Sequence, residues 1–222
     1  MNYFSEQEIR DIVSQVVSRA GLTSGGREPE GREIPVEVSA RHVHLTREAL
    51  DVLYGVGYQL TEKRKLSQPG QYLSQERVKL VTARGQIANV GILGPLRKDI
   101  QVELSLTDAR TLGVEAPICL SGELEGAADV VIVGPKGVVT AKGSVIIAKA
   151  HVHMTPADAE NYGVTDGERV SISLGTERAI TLNDVVVRVE KNYALAVHID
   201  FDEANAAQVG GGNIVGRLRK NR

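Results

Sequence analysis

An eleven-residue segment of this 222-residue chain occurs twice, and this repetition limits the folds open to it. Val36–Thr46 aligns without gaps on Val145–Thr155, and each copy contains a His-Val-His triplet. Each copy is followed by the marks of a short helix, with Thr46 or Thr155 as the N-cap and a Tyr-Gly-Val sequence as the stop. Repetition with shared punctuation indicates a duplicated structural unit, so we expect two related halves.

A second pair of segments belongs to the same duplication. Val102–Ala109 aligns with Val197–Ala204, and each reads as a strand that runs into a capped helix. This alignment places Glu103 at the position that His198 occupies in the other half.

The period of the apolar residues predicts the fold class. From Val36 onward apolar and polar residues alternate in short runs that Gly or Pro separates. Such runs are typical of strands joined by turns, so we expect a mainly β protein with short helices, arranged as a sandwich or a barrel.

The N-terminal region has a different pattern. Residues 1–22 read as an amphipathic helix with a Ser5/Glu8 capping box, and residues 23–33 have the composition of a linker. A helix on a tether can dock on its own domain, dimerise, or act as a docking peptide for another protein. The residues alone leave these interpretations open.

The composition argues against two classes of partner. Lys and Arg number 26 against 28 Asp and Glu, and aromatic residues make up 4% of the chain, so nucleic-acid binding is not expected. The apolar runs are also far shorter than the roughly 20 residues that a membrane-spanning helix needs. We therefore expect neither nucleic acid nor membrane as a partner.

All five histidines fall at equivalent or paired positions of the duplication. Residues i and i+2 of a strand point to the same face, so each His-Val-His triplet presents two imidazoles side by side. Together with the second alignment, this predicts two sets of metal ligands: His42, His44 and Glu103 in one half, and His151, His153 and His198 in the other.

Three ligands per metal leave a coordination position open, which is the catalytic pattern for zinc. Two His and one carboxylate also describe a non-haem iron site, so iron stays an alternative to zinc. A cupin-like site that uses Glu48 is a distant alternative, because Glu48 falls in the predicted helix and Ala157 replaces it in the second copy.

If every histidine is a ligand, none remains as a general base near pH 7. The nucleophile is then either a water that a metal activates or a substrate that is already anionic. The stretch Thr61–Lys98 has eight basic residues and two acidic ones, which suits phosphate-bearing ligands, although a solvated basic face would look the same. Arg97, which follows a Gly-Pro turn, is the best-placed arginine.

Four segments of the chain resemble one enzyme family. Ser39–Leu45, Gly91–Pro95, Arg97 and Ala150–Met154 are similar to motifs of the PduL-type phosphotransacylases, or phosphate propanoyltransferases, of bacterial microcompartments. The resemblance implies two β-barrel domains with the first strand of each repeat exchanged, and two zinc ions between the barrels. It implies transfer of a short acyl group, propanoyl or acetyl, between coenzyme A and inorganic phosphate, with Arg97 as a catalytic residue.

Domain limits and partners follow from the same resemblance. The first barrel is expected over residues 41–149 and the second over residues 34–40 and 150–216. Residues 217–222 are interpreted from their charge alone as a basic tail, to which the resemblance assigns no role. The N-terminal helix is expected to be an encapsulation peptide that binds shell or core proteins and places the enzyme in a microcompartment. A homodimer is the expected assembly.

Two other functions stay open at this point. A zinc-dependent acyl-CoA thioesterase could use the same scaffold, with the metal activating water. A metal-stabilised structural module is the non-enzymatic alternative, and the open three-ligand sets argue against it.

Overall fold

The computed structural model describes residues 33–210 and 214–221. The helix predicted for residues 1–22 and residues 23–32 of the predicted linker lie outside these ranges. The strands of the first half are β1 (Glu33–Ser39), β2 (His42–His44), β3 (Glu62–Lys65), β4 (Tyr72–Val81), β5 (Gln86–Gly94), β6 (Gln101–Leu104) and β7 (Ile118–Cys119). The later strands are β8 (Ala128–Val133), β9 (Val138–Ala148), β10 (His151–Met154), β11 (Arg169–Leu174), β12 (Ile180–Val189), β13 (Ala196–Asp200) and β14 (Val215–Lys220). The helices between them are α1 (Arg47–Tyr54), α2 (Leu106–Leu112), α3 (Pro156–Tyr162) and α4 (Phe201–Ala206).

The strands form two closed barrels of six strands each. The first barrel runs β4-β5-β2-β6-β9-β8 and returns to β4. Two further strands extend it, β3 by pairing with β4 and β7 by pairing with β9. The second barrel runs β1-β13-β10-β12-β11-β14 and returns to β1. The predicted mainly β fold of two barrels is confirmed.

The exchange of strands between the repeats is also confirmed. β1, the first strand of the first repeat, pairs with β13 and β14 in the second barrel. Its counterpart in the second repeat, the end of β9, pairs with β6 in the first barrel. Each barrel is therefore completed by a strand from the other repeat.

Each barrel encloses its own apolar core. Val43 and Val152, the central residues of the two His-Val-His triplets, are both fully buried and lie in different cores. Because side chains alternate along a strand, the histidines on either side of each valine point out of the barrel core. The interiors thus fix which way the histidines face.

The short helices begin and end where the repeat predicts. The side chains of Thr46 and Thr155 accept hydrogen bonds from the backbone N–H groups of Ala49 and Asp158, which caps α1 and α3. Gly55 and Gly163 end these helices with positive φ angles, a conformation that costs glycine little. None of the helices in the described ranges is long and apolar enough to cross a bilayer.

The prediction of a basic tail over residues 217–222 is wrong for most of that segment. Arg217–Lys220 belongs to β14, which pairs with β11 and, at Arg217, with β1. Only Gly216 and Leu218 of β14 are buried, and the charged residues are exposed, with Arg217 near Glu33 and Lys220 near Glu168. The alternation of buried and exposed residues in β14 is hard to recognise in the sequence, because it consists of one glycine and one leucine among several charged residues.

The turn between β4 and β5 packs against α2, and this contact gives a test of the first barrel. A Cβ added to Gly85 would lie 2.1 Å from the backbone carbonyl oxygen of Thr111. We expect Gly85→Ala to lower the free energy of unfolding by about 1–3 kcal/mol through overpacking. Gly175→Ala is the matched control, since nothing lies within 4 Å of its added Cβ. Urea unfolding of both variants measures the difference, and equal midpoints would contradict the packing described.

Candidate metal centre

The predicted ligand residues lie on two pairs of adjacent strands. β2 runs antiparallel to β6 with His42 opposite Glu103, and β10 runs antiparallel to β13 with His151 opposite His198. The two registers are the same, so the structure supports the equivalence of Glu103 and His198. Each strand pair therefore brings a third candidate ligand, Glu103 or His198, beside the two histidines of a His-Val-His triplet.

His42, His44 and Glu103 form the first cluster. His42 Nε2 lies 3.6 Å from Glu103 Oε2, and His44 Nε2 lies 3.8 Å from Glu103 Oε1. All three side chains are largely buried. One donor atom from each residue lies within 4.8 Å of the others, a spacing that could accommodate a single metal ion.

His151, His153 and His198 form the second cluster, with the same 4.8 Å limit on their donor atoms. The rings of His151 and His198 stack with centroids 5.1 Å apart, and His153 lies between them and Tyr193. Neither ring nitrogen of His153 has a hydrogen-bond partner among the described residues, although both are buried. A buried imidazole without partners fits a metal ligand, because coordination would satisfy a nitrogen that burial leaves unpaired.

One backbone contact is repeated in both clusters and selects the donor nitrogen. The Nδ1 atom of His42 lies 2.8 Å from the carbonyl oxygen of Ala40, and that of His151 lies 2.8 Å from the carbonyl oxygen of Lys149. A carbonyl only accepts, so Nδ1 carries a proton in both rings, and in the neutral form that binds a metal the lone pair is then on Nε2. This is the arrangement by which proteins orient histidine ligands of metals.

Electrostatics keep the Glu103 carboxylate ionised. Burial alone raises the pKa of Glu103, but the attraction and hydrogen bond of His42 and the charge of His44 outweigh it and bring that pKa far below its usual range. Burial lowers the pKa of His42, yet Glu103 raises it above its ordinary value. Burial and the neighbouring His42 bring the pKa of His44 well below that of a free histidine.

The second cluster favours neutral imidazoles. Burial, followed by the neighbouring His151, lowers the pKa of His153 to about 2 and that of His198 to about 3. The pKa of His151 is also lowered, because burial outweighs its hydrogen bond to Lys149. Neutral imidazole is the form that binds a metal, so these rings are ready for coordination near pH 7.

Both clusters open into one cavity of about 790 Å³. Its wall also contains six cationic side chains and one carboxylate besides Glu103, which makes it suited to anionic ligands. The cationic residues are Arg41, Arg64, Lys65, Arg77, Arg97 and Arg188, and the further carboxylate is Glu37.

Arg97, the arginine that the sequence singles out, also lines this cavity. It follows β5, and its backbone N–H donates to the carbonyl of Leu45, directly after His44. Its guanidinium donates from Nη1 to the hydroxyl of Ser121 at 2.9 Å. Arg97 is therefore held beside the first cluster, in the wall of the cavity.

The structure separates the basic stretch Thr61–Lys98 into two groups. Four of its eight basic residues line the cavity, and the other four do not: Lys63, Lys79, Arg84 and Lys98. Glu48 lies in the first turn of α1, is exposed and joins neither cluster, so the cupin-like alternative is wrong.

Sequence reasoning missed several residues in and behind the cavity wall. Arg188 lies opposite His153 in the pairing of β10 with β12, and its guanidinium is 5.8 Å from the ring centre of Tyr193. The sequence does contain a signal for Arg188, because it is the one arginine within the otherwise apolar segment Val185–Val189. Gln101 and Ser121 carry no comparable signal, since polar residues of these types are common in strands and turns.

Comparisons with known proteins agree with the site. The family model described as phosphate propanoyltransferase matches residues 35–210. A phosphate propanoyltransferase of Thermotoga maritima is 50% identical over 183 residues, which cover 82% of this chain and 87% of the relative. Relatives of the same name from Alkaliphilus metalliredigens and Clostridioides difficile are 46% and 43% identical. They cover 91% and 97% of this chain, and 93% and 99% of their own length.

The family match covers most of β1, every strand from β2 to β13, all six cluster residues and Arg97. Together with relatives of 42–50% identity over most of the chain, it identifies the protein as an acyltransferase. The chain belongs to the phosphate propanoyltransferase family.

Proposed function

We propose that the protein transfers a short acyl group, propanoyl or acetyl, reversibly between coenzyme A and inorganic phosphate at a centre of two zinc ions. A phosphate oxygen forms a bond to the acyl carbon while the carbon–sulfur bond breaks, and coenzyme A leaves as its thiolate. The observation that carries the proposal is the convergence of six cationic side chains and two metal-type clusters in one cavity. Both substrates bear phosphate groups, and the cavity suits that charge.

The residues would hold one zinc ion with His42, His44 and Glu103, and the other with His151, His153 and His198. Zinc accepts imidazole and carboxylate donors, and three protein ligands leave a position open for substrate. Two divalent cations here would polarise the thioester carbonyl and offset the charge of phosphate.

Direct attack by phosphate suits the remaining side chains of the cavity. All five histidines of the chain belong to the two clusters, so none is left to activate water as a general base. Phosphate is already an anion near pH 7 and needs placement rather than deprotonation. Arg97 can supply that placement, since a guanidinium binds phosphate oxygens through two parallel hydrogen bonds.

Cellular placement and assembly stay predictions from the sequence. We propose that residues 1–22 dock on shell or core proteins of a bacterial microcompartment, supported by their apolar stripe and the tether that follows. We also propose that the protein assembles as a homodimer.

Release of coenzyme A from propanoyl-coenzyme A, followed with a thiol reagent, tests the reaction. We expect release to require inorganic phosphate, to produce propanoyl phosphate, and to stop when a chelator removes the metals. Readdition of zinc should restore it. Equal release without phosphate would show a thioesterase, and full activity in metal-free protein would contradict the metal centre.

Replacement of Arg97 tests its role in binding phosphate. Arg97→Ala removes a charged hydrogen-bond donor, so we expect the KM for phosphate to rise about tenfold to a hundredfold, with lower turnover. Both metals should stay bound. Arg84→Ala is the control, because Arg84 is an exposed arginine outside the cavity. Loss of metal in Arg97→Ala, or an unchanged KM, would contradict this assignment.

Metal content separates the two clusters. Glu103→Gln replaces an anionic ligand with a neutral amide, so we expect metal analysis to find one tightly bound zinc in place of two. Glu48→Gln makes the same exchange at an exposed glutamate and should keep both. If Glu103→Gln kept two zinc ions and lost only rate, Glu103 would be a base rather than a ligand.

A further inference from the structure

Glu103 is the one carboxylate among the six proposed ligands, and a carboxylate is the harder group to orient. It has two equivalent oxygens, whereas each histidine is a flat ring with one available nitrogen. A group that binds one oxygen of Glu103 would determine which oxygen faces the metal. Gln101 is such a group: it precedes Glu103 by two residues on β6, on the same face, and only 3% of its surface is exposed.

The side-chain amide of Gln101 makes three hydrogen bonds. Its Nε2 donates to Glu103 Oε1 at 2.6 Å and to Ser121 Oγ at 2.8 Å, and its Oε1 accepts the backbone N–H of Gly122 at 2.8 Å. A backbone N–H can only donate, so the oxygen of the amide must face Gly122 and the NH₂ group must face Glu103. The orientation of Gln101 is therefore chemically determined.

Ser121 extends this set of hydrogen bonds to the predicted phosphate-binding residue. Its hydroxyl oxygen accepts from Gln101 Nε2 and from Arg97 Nη1, at 2.8 and 2.9 Å. The carboxylate ligand and the guanidinium are thus joined through one amide and one hydroxyl. Because each link is a direct hydrogen bond, a shift of Gln101 would move both ends.

The duplication supplies an internal comparison. Gln101 lies opposite His44 in the pairing of β2 with β6, and Ala196 lies opposite His153 in the pairing of β10 with β13. The second half, which has His198 in place of Glu103, has no polar side chain at this strand position, and the amide that lies 3.3 Å from His198 Nε2 belongs to Gln68, outside the strand pair. The glutamine accompanies the carboxylate, which agrees with a role in orienting it.

We infer that Gln101 is a positioning residue that holds Glu103 Oε1, presents Glu103 Oε2 to the first metal position, and aligns Arg97 through Ser121. Oε2 lies 3.6 Å from His42 Nε2, whereas Oε1, the oxygen that Gln101 holds, lies 3.8 Å from His44 Nε2. This inference rests on the proposed function, because it assigns Gln101 a task at the same site. It predicts that one residue affects metal affinity in the first cluster and phosphate binding together.

Gln101→Met tests the inference, since methionine has a similar length and no group to donate these bonds. Titration of metal-free protein with zinc against a competing chelator gives the affinity of each site without any turnover. We expect the first zinc site to weaken about tenfold to a hundredfold, as for other residues that orient metal ligands, and the second to keep its affinity. Gln75→Met, at an exposed position of β4, is the matched control and should leave both sites unchanged.

A second variant separates the two ends of the connection. Ser121→Ala keeps the bond between Gln101 and Glu103 but removes a hydroxyl beside that carboxylate, so we expect the first zinc site to weaken less than in Gln101→Met and the KM for phosphate to rise severalfold. Gln101→Met should change both the zinc affinity and the KM. Circular dichroism of each metal-free variant verifies folding.

The outcomes distinguish failure of the inference from failure of the proposed function. If wild-type protein binds two zinc ions and Gln101→Met binds both with unchanged affinity, the positioning role is wrong. If wild-type protein and Glu103→Gln bind the same amount of zinc, or neither binds any, then Glu103 is not a ligand. In that case the proposed metal centre is wrong and Gln101 has no ligand to orient.

Discussion

Burial of one valine in each His-Val-His triplet is the interaction on which the site depends. Val43 and Val152 lie fully buried in separate barrel cores, and the alternation of a strand then forces the flanking imidazoles outward. A slip of one residue in either strand would expose the valine and bury two polar rings in an apolar core. The free energy that folds each barrel therefore also selects the face on which the histidines stand.

Strand exchange makes the two halves depend on each other. β1 closes the second barrel and the end of β9 closes the first, so neither repeat can complete a barrel alone. The connections between exchanged strands and the triplets are very short: Ala40 and Arg41 separate β1 from β2, and Lys149 and Ala150 separate β9 from β10. The carbonyls that fix His42 and His151 come from these connections. The exchange thus places the same backbone contact at both clusters.

The sequence predicts the fold and the six clustered residues well because they belong to the repeat. A gapless alignment transfers position from one half to the other, and it pairs Glu103 with His198. The repeat does not predict Gln101 or Ser121. Gln101 corresponds to an alanine, Ala196, in the second half, and Ser121 reaches the site from a turn that is distant in sequence. β14 was missed because its charges mask a weak alternation. The repeat therefore predicts the residues that the two halves have in common, whereas residues that differ between the halves become apparent only in the structure.

The central claim is that two metal ions lie in one cavity, each held by one half of the duplication. Crystals of the protein grown with zinc and measured on both sides of the zinc absorption edge would test it most directly. The account predicts two anomalous peaks, one among His42, His44 and Glu103 and one among His151, His153 and His198. Anomalous density at other residues, or at neither cluster, would contradict it.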